Sequence, residues 1–314
     1  MVKNPAISVL LTFYNEEKYL SKAIQSILDQ SFRNFELILV NDGSSDSSDA
    51  IVKSFQDDRI VYIEQENLGL SRALNNGLSR ARGKYIARMD ADDIAFPNRL
   101  QVQYDYMNAH QECVVSGSDV EIIDMNGKYV FTKYNSREFP KRMKDFYRNC
   151  PLQHPTVMFV KDIALKCGGY YEPIRQYFED HMLWAKMRKY GELHSIPEVL
   201  LSYRLRPNSI SVKGFNQGLN ELKKEILIQG FATPEQLVSF EKIKQDIRTG
   251  TSERVANYHL FLARKYMLHS SDSLSIWHHA SSSLKQKLRL ETLALMIAAI
   301  IPFKLRRLII DIIK

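Results

Sequence analysis

Ile7-Ser8-Val9-Leu10-Leu11-Thr12-Phe13 is an almost unbroken apolar run, followed at once by the polar, acidic Tyr14-Asn15-Glu16-Glu17. A run without polar alternation reads as a strand covered on both faces. Outward from it, Leu20, Ala23, Ile24, Ile27 and Leu28 recur at helical spacing. Phe35 to Val40 is a second buried run, Asp46 to Phe55 reads as a helix with Ser44 or Ser45 as its cap, and Ile60 to Ile63 is a short strand. Leu70, Ala73, Leu74, Gly77, Leu78 and Ala81 form a further helical stripe before a fourth strand, Tyr85 to Met89. This alternation predicts an α/β fold with a doubly wound, mostly parallel sheet. Residues 114 to 210 are mixed, with strand-like pieces at Val114 to Val120 and Thr156 to Val160.

Ligands of such sheets bind at the carboxyl ends of the strands. Three segments fall there: Tyr14 to Glu17, Asn41-Asp42-Gly43-Ser44-Ser45-Asp46 and Asp90-Ala91-Asp92-Asp93. All are polar and acidic. No glycine-rich dinucleotide fingerprint follows the first strand and no Walker A sequence occurs, which excludes hydride transfer and P-loop hydrolysis. The carboxylates of Asp90, Asp92 and Asp93 repel one another unless something compensates. A divalent cation, Mn²⁺ or Mg²⁺, is one compensation; a helix N-terminus is the other. Asp42 reads either as turn chemistry or as the acceptor for the imide N–H of uracil, with Tyr14 stacked on the base and Glu16 accepting from ribose. In Tyr177-Phe178-Glu179-Asp180-His181-Met182-Leu183-Trp184 two adjacent acids enter an apolar helical pattern. They form an acidic first turn or supply a general base. Trp184 is expected in the core and His154 in a structural role.

The charge sum, 43 basic against 36 acidic residues, is +7 and fits anionic partners. Nucleic acid is excluded as that partner, because no basic stripe interleaves with aromatics and the best-defined rim is acidic. Cys113, Cys150 and Cys167 lie far apart without metal spacing, which predicts free thiols in a reducing compartment. The start, Met1 to Pro5, leads directly into the first strand with no visible signal peptide, so a cytoplasmic location is expected. Leu293 to Ile301 is far shorter than the roughly 20 residues of a spanning helix.

In order, Thr12-Phe13-Tyr14-Asn15-Glu16, Asn41 to Asp46, Asn67-Leu68-Gly69-Leu70-Ser71, Asp90 to Asp93, Gly168-Gly169-Tyr170 and Glu179 to Trp184 resemble the family 2 glycosyltransferases with the GT-A, Rossmann-like fold. The resemblance covers about residues 5 to 212, and Tyr85 to Ile94 looks like the bacterial enzymes of lipo-oligosaccharide, O-antigen, capsule and exopolysaccharide assembly. It implies inverting transfer of a hexose or N-acetylhexosamine from a nucleotide diphosphate sugar, a UDP-sugar above all, to a hydroxyl of an oligosaccharide or polyprenyl-linked acceptor. Carried over by position, Thr12, Tyr14, Glu16 and Asp42 hold the nucleoside, Asp90 contacts ribose or nucleotide, and Asp92 binds the metal. Gly169 belongs to a loop near the donor sugar, Asp180 is the catalytic base and Glu179 shapes the acceptor site. Two positions depart from the pattern. Leu74 stands where many members have Arg, and Arg72 is the substitute cation; Arg206 stands where many have a His that reaches the metal or diphosphate, and could grip the diphosphate by paired hydrogen bonds.

These features predict a catalytic domain over 1–212 and a helical region over 213–314. In the latter, Thr233-Pro234-Glu235-Gln236 starts a helix, Val255 to Leu268 and Leu284 to Ile301 are helices, and Ser270 to Ser283 is a connection between them. The mixture of cations and aliphatic residues over 293–314 fits an anionic membrane surface, a core helix or a homodimer seam about equally. Peripheral attachment at the inner face of the cytoplasmic membrane therefore stays open. Two rival functions are a sugar nucleotidyltransferase, which lacks its usual basic glycine-rich loop here, and a non-catalytic sugar-nucleotide-binding or scaffold protein.

Overall fold

The computed structural model describes residues 4–175, 177–207, 217–246, 251–270, 272–287 and 290–303. Strand β1 (Ile7–Phe13) is buried along its whole length, which is why its sequence does not alternate. It lies between β2 (Phe35–Asp42) and β4 (Tyr85–Asp90), parallel to both, and β3 (Ile60–Gln65) extends the parallel half beyond β2. The crossovers carry α1 (Leu20–Leu28), α2 (Ser48–Ser54) and α3 (Leu70–Arg80).

The second half of the sheet is mixed in direction. It comprises β5 (Ile94–Ala95), β6 (Cys113–Ile123), β7 (Tyr129–Lys133), β8 (Met158–Val160) and β9 (Glu192–Arg204). Interspersed are α4 (Arg99–Ala109), α5 (Asn135–Lys144), α6 (Lys161–Lys166) and α7 (Glu179–Met187), with 3-10 turns at His154–Thr156 and Glu172–Ile174. The sheet order is β3-β2-β1-β4-β8-β6-β9-β5, with β7 paired to β6. β8 runs antiparallel to β4 and β6. The fold is thus α/β, with a mostly parallel sheet on the side that carries the site. Leu10, Ile38 and Val40 of the sheet share a core with Leu74 and Leu78 of α3 and with Phe159, Trp184 and Met187. Each such burial is worth roughly 1.5–3 kcal/mol. Gly77 lets α3 lie close on the sheet, since a Cβ there would meet Leu10 Cδ1 at 2.2 Å.

Among the described residues five helices follow: α8 (Gln217–Gln229), α9 (Pro234–Asp246), α10 (Thr251–His269), α11 (Ser273–Gln286) and α12 (Leu290–Ile300). The chain forms two compact units. The first is Met1–Val120, Tyr134–Tyr203 and Gly218–Phe240; the second is Glu121–Lys133, Arg204–Gln217 and Glu241–Lys314. α9 begins with a reciprocal capping box: Gln236 N–H donates to Thr233 Oγ1 at 3.2 Å and Thr233 N–H to Gln236 Oε1 at 2.9 Å.

Local expectations are corrected in four places. α2 begins at Ser48, not Asp46, because Ser44 and Ser45 bond to Asn15 instead of capping it. The expected strand over Thr156 to Val160 divides into a 3-10 turn and β8. The serine-rich stretch is helix α11, capped by Asp272, whose side chain accepts from Ser275 N–H at 3.0 Å. Its hydroxyls bond to helix carbonyls, Ser283 to Ala256 and Ser281 to His278, so they do not compete with the helix. The single helix expected over Leu284 to Ile301 is two, since α11 ends at Gln286 and α12 begins at Leu290. No described helix is long and apolar enough to cross a membrane. α12 exposes Leu293, Ile297 and Ile300. Residues 304–314 of the proposed membrane or dimer segment lie outside the described residues.

Candidate active site

Parallel pairing brings the ends of β1, β2 and β4 to one edge. Thr12 stands in register with Val40 on one side and Asp90 on the other. Thr12 is buried, while Tyr14, just beyond, is 48% exposed and open to stack on a ring. The loops after β1 and β2 are clipped together through Asn15, at φ 54°, whose Oδ1 accepts from Ser45 N–H at 2.8 Å. Glu16, half-buried, donates its backbone N–H to Ser48 Oγ at 2.9 Å.

Asp42 is buried at the end of β2. Its carboxylate accepts from Gln65 Nε2 at 2.8 Å, Leu68 N–H at 2.9 Å and Gly69 N–H at 3.0 Å. It therefore anchors the loop that starts α3. Gly43, at φ 74°, allows that loop to approach, because a Cβ would meet Asn67 N at 2.7 Å. Leu74 is fully buried in the core, whereas Arg72 on the first turn of α3 is exposed, with Nε 3.8 Å from Glu172 Oε2.

The acidic triplet closes on itself at the end of β4. Asp90, Asp92 and Asp93 each offer one carboxylate oxygen, and the three atoms lie within 4.8 Å of one another. A hard divalent cation takes this kind of oxygen donor set, so the residues fit Mg²⁺ or Mn²⁺. The compensation expected from a cation is already partly present in the protein. Arg88, fully buried in β4, forms an ion pair with Asp90. Burial opposes the Arg88 charge, but Asp90 above all, with Glu179, holds it and raises its pKa. Arg99, equally buried at the start of α4, donates to the Arg88 carbonyl at 2.6 Å and to Gln103 Oε1 at 3.0 Å. Burial lowers the Arg99 pKa to about 9 against the pull of Asp93, so it too is charged at neutral pH.

Glu179 and Asp180 form the first turn of α7. Burial pushes the Glu179 carboxyl up to about 7. Loss of hydration also raises Asp180, reinforced by Glu179. Asp180 Oδ1 accepts from His181 N–H at 2.7 Å. His154 Nδ1 is 3.6 Å from Glu179 Oε1, and His154 Nε2 is 3.0 Å from the Tyr170 hydroxyl. Trp184 is fully buried, as expected. Gly169, at φ 68°, lies against α3, where a Cβ would meet Asn75 Oδ1 at 2.5 Å.

The first unit thus contains Thr12, Tyr14, Glu16, Asp42, Arg72, Asp90, Asp92, Gly169, Glu179 and Asp180, whereas Arg206, half-buried after β9, belongs to the second. Sequence reading missed Arg88, Arg99 and Asn75. Arg88 had a signal, a cation in the middle of the apolar run Tyr85 to Met89. Asn75, which grips the backbone of Tyr170, had none.

A family model described as Glycosyl transferase family 2 matches residues 8–169. The chain belongs to this family. Amylovoran biosynthesis glycosyltransferase AmsE of Erwinia amylovora is 33% identical over 229 residues, covering 70% of this chain and 82% of its own. O-antigen biosynthesis glycosyltransferase WbnJ of Escherichia coli is 34% identical over 216 residues, covering 65% and 81%. Two solved structures share the fold at 14% identity. TarS of S. aureus in complex with UDP has a TM-score of 0.56 over 89% of this chain and 88% of its own. Mannosyltransferase PcManGT from Pyrobaculum calidifontis, in complex with GDP-Man and Mn²⁺, has a TM-score of 0.56 over 98% and 88%. The family 2 glycosyltransferase architecture here is GT-A, with additional helices at the C-terminal end.

Proposed function

We propose that this family 2 glycosyltransferase moves a hexose or N-acetylhexosamine, with inversion, from a UDP-sugar to a hydroxyl of an oligosaccharide or lipid-linked acceptor in bacterial surface glycan synthesis. The observation that carries the reading is electrostatic. Three carboxylates converge at the end of β4, and the Arg88 beneath them interacts with both Asp90 and Glu179, which links the candidate metal site to the residue next to the candidate base. The names of AmsE and WbnJ support a role in polysaccharide assembly. UDP and GDP-Man in the two structural neighbours support a nucleotide-linked donor.

Tyr14 stacks on the base. Asp42 already accepts three N–H groups, which leaves one of about four carboxylate lone-pair sites for the imide N–H of uracil. Asp92, with Asp90 beside it, would hold the cation; when bound, it supplies the positive charge that stabilises a leaving diphosphate without a proton. Asp180 takes the proton of the acceptor hydroxyl as that oxygen attacks the anomeric carbon. The bond to the diphosphate oxygen breaks on the opposite face, its electron pair leaves with UDP, and the configuration inverts. A raised pKa makes Asp180 a better base than a solvated aspartate. One carboxylate base suffices, whereas glycoside hydrolysis needs two carboxyl groups flanking the bond. The test is UDP release across a panel of UDP-sugars with Mn²⁺ and an acceptor mixture. Release with at least one donor, lost with chelator, is expected; no release with any donor overturns the reading.

A further inference from the structure

We propose that His154 is a positioning residue for sugar transfer: through Nδ1 it fixes the Glu179 carboxyl beside the base, while Tyr170 fixes the other edge of its ring. The inference rests on the assignment of Glu179 and Asp180 to the acceptor side of the reaction. His154 opens a 3-10 turn stiffened by Pro155, and its side chain is only 10% exposed. Nε2 meets the hydroxyl of Tyr170 at 3.0 Å. Tyr170 is itself held from behind by Asn75: its N–H donates to Asn75 Oδ1 at 2.8 Å, and its carbonyl accepts from Asn75 Nδ2 at 2.8 Å. The ring of His154 is therefore clamped before it reaches Glu179.

Glu179 needs such a clamp. Its carboxyl is buried, and Oε2 has no hydrogen-bond partner among the described residues. An unsatisfied buried oxygen is costly, and an acceptor hydroxyl reaching it would remove that cost. Oε1 faces His154 Nδ1 at 3.6 Å, close enough for a small shift to make the hydrogen bond. Burial and the charge of Arg88 disfavour protonation of the ring, so it carries a single N–H. With Tyr170 donating to Nε2, that N–H sits on Nδ1 and is directed at Glu179. The groups around this chain are Arg88 and Asp90 from β4, Asp180 beside Glu179 on α7, and Lys223 from α8.

Two isosteric substitutions separate the edges of the ring. His154→Asn keeps an N–H near the Nδ1 position; His154→Gln keeps one near Nε2. We expect the Asn variant to retain kcat within about threefold and the Gln variant to lose about 10- to 100-fold, the scale of a misplaced reacting group. Donor KM and UDP affinity should stay unchanged in both. Tyr170→Phe keeps the packing and should lower kcat by removing the tautomer control. Equal loss in the Asn and Gln variants, or full kcat in His154→Gln, overturns the proposal. Should both His154 variants melt early, Tyr170→Phe decides alone: unchanged kcat overturns it. Absence of UDP release by the wild-type chain would overturn the proposed function and this role together, whereas an active wild type with active His154→Gln overturns only this one.

Discussion

Cys150 Sγ lies 3.8 Å from Oδ2 of Asp180, the proposed base, and 3.2 Å from the Leu152 carbonyl, so its one S–H has two acceptors within reach. Burial raises the Cys150 pKa and the charge of Asp180 raises it further, so the thiol stays protonated. Asp180→Asn should reduce transfer by about 100-fold or more, the usual weight of a general base, while UDP binding measured by calorimetry stays the same. The same variant removes the negative charge that suppresses the thiolate. Alkylation of Cys150 by iodoacetamide, followed by peptide mass spectrometry, should then run faster than in the wild type. Unchanged transfer would remove Asp180 from the mechanism.

Arg88 and Arg99 offset much of the charge on Asp90, Asp92 and Asp93. A bare cation therefore gains less from the triplet than three uncompensated carboxylates would give it. Mn²⁺ should bind weakly to the free protein and at least about tenfold more tightly with UDP present, because the diphosphate adds ligands. Tight Mn²⁺ binding without nucleotide in a calorimetric titration would contradict this.

Glu179 makes stability depend on pH. Its carboxyl, ordinarily near 4.5, is raised to about 7 by burial, so the folded chain holds this proton more tightly than the unfolded chain. Its contribution is full below the unfolded pKa and is lost as pH rises through the folded one, a change on the order of 3 kcal/mol. His154, lowered to about 3, acts with the opposite sign over a more acidic range. Thermal melts between pH 5 and 8 should therefore show a smaller fall in Tm for Glu179→Gln than for wild type. Parallel curves would mean that Glu179 is ionised throughout.

Gly168 and Gly169 both have positive φ, 84° and 68°, but differ in what surrounds them. A Cβ on Gly168 meets nothing within 4 Å, whereas one on Gly169 strikes Asn75 Oδ1. Gly168→Ala should cost about 1 kcal/mol from backbone strain alone. Gly169→Ala should cost more, because it also displaces the clamp on Tyr170. Urea denaturation distinguishes them, and equal losses would show that the Asn75 contact adjusts freely.

The parallel half of the fold was readable because β1, β2 and β4 are buried on both faces and the intervening helices present clear apolar stripes. The half of mixed direction was less so. β9 was not foreseen: Pro197 and several exposed residues interrupt its pattern. α11 was hidden by serines whose hydroxyls turn back onto helix carbonyls, a preference that composition alone does not reveal. At the site, the carboxylates were legible as types in order along the chain. The shift on Glu179 was not, since it arises from burial, and burial depends on how α7 packs.

The guanidinium groups beneath the acidic triplet also separate two events in the life of the enzyme. Arg88 and Arg99 are supplied by the polypeptide itself, so the strand ends can assemble before any ion arrives. On the proposed mechanism, a cell short of manganese or magnesium would then accumulate folded, idle transferase that resumes work on resupply, with no need for new synthesis.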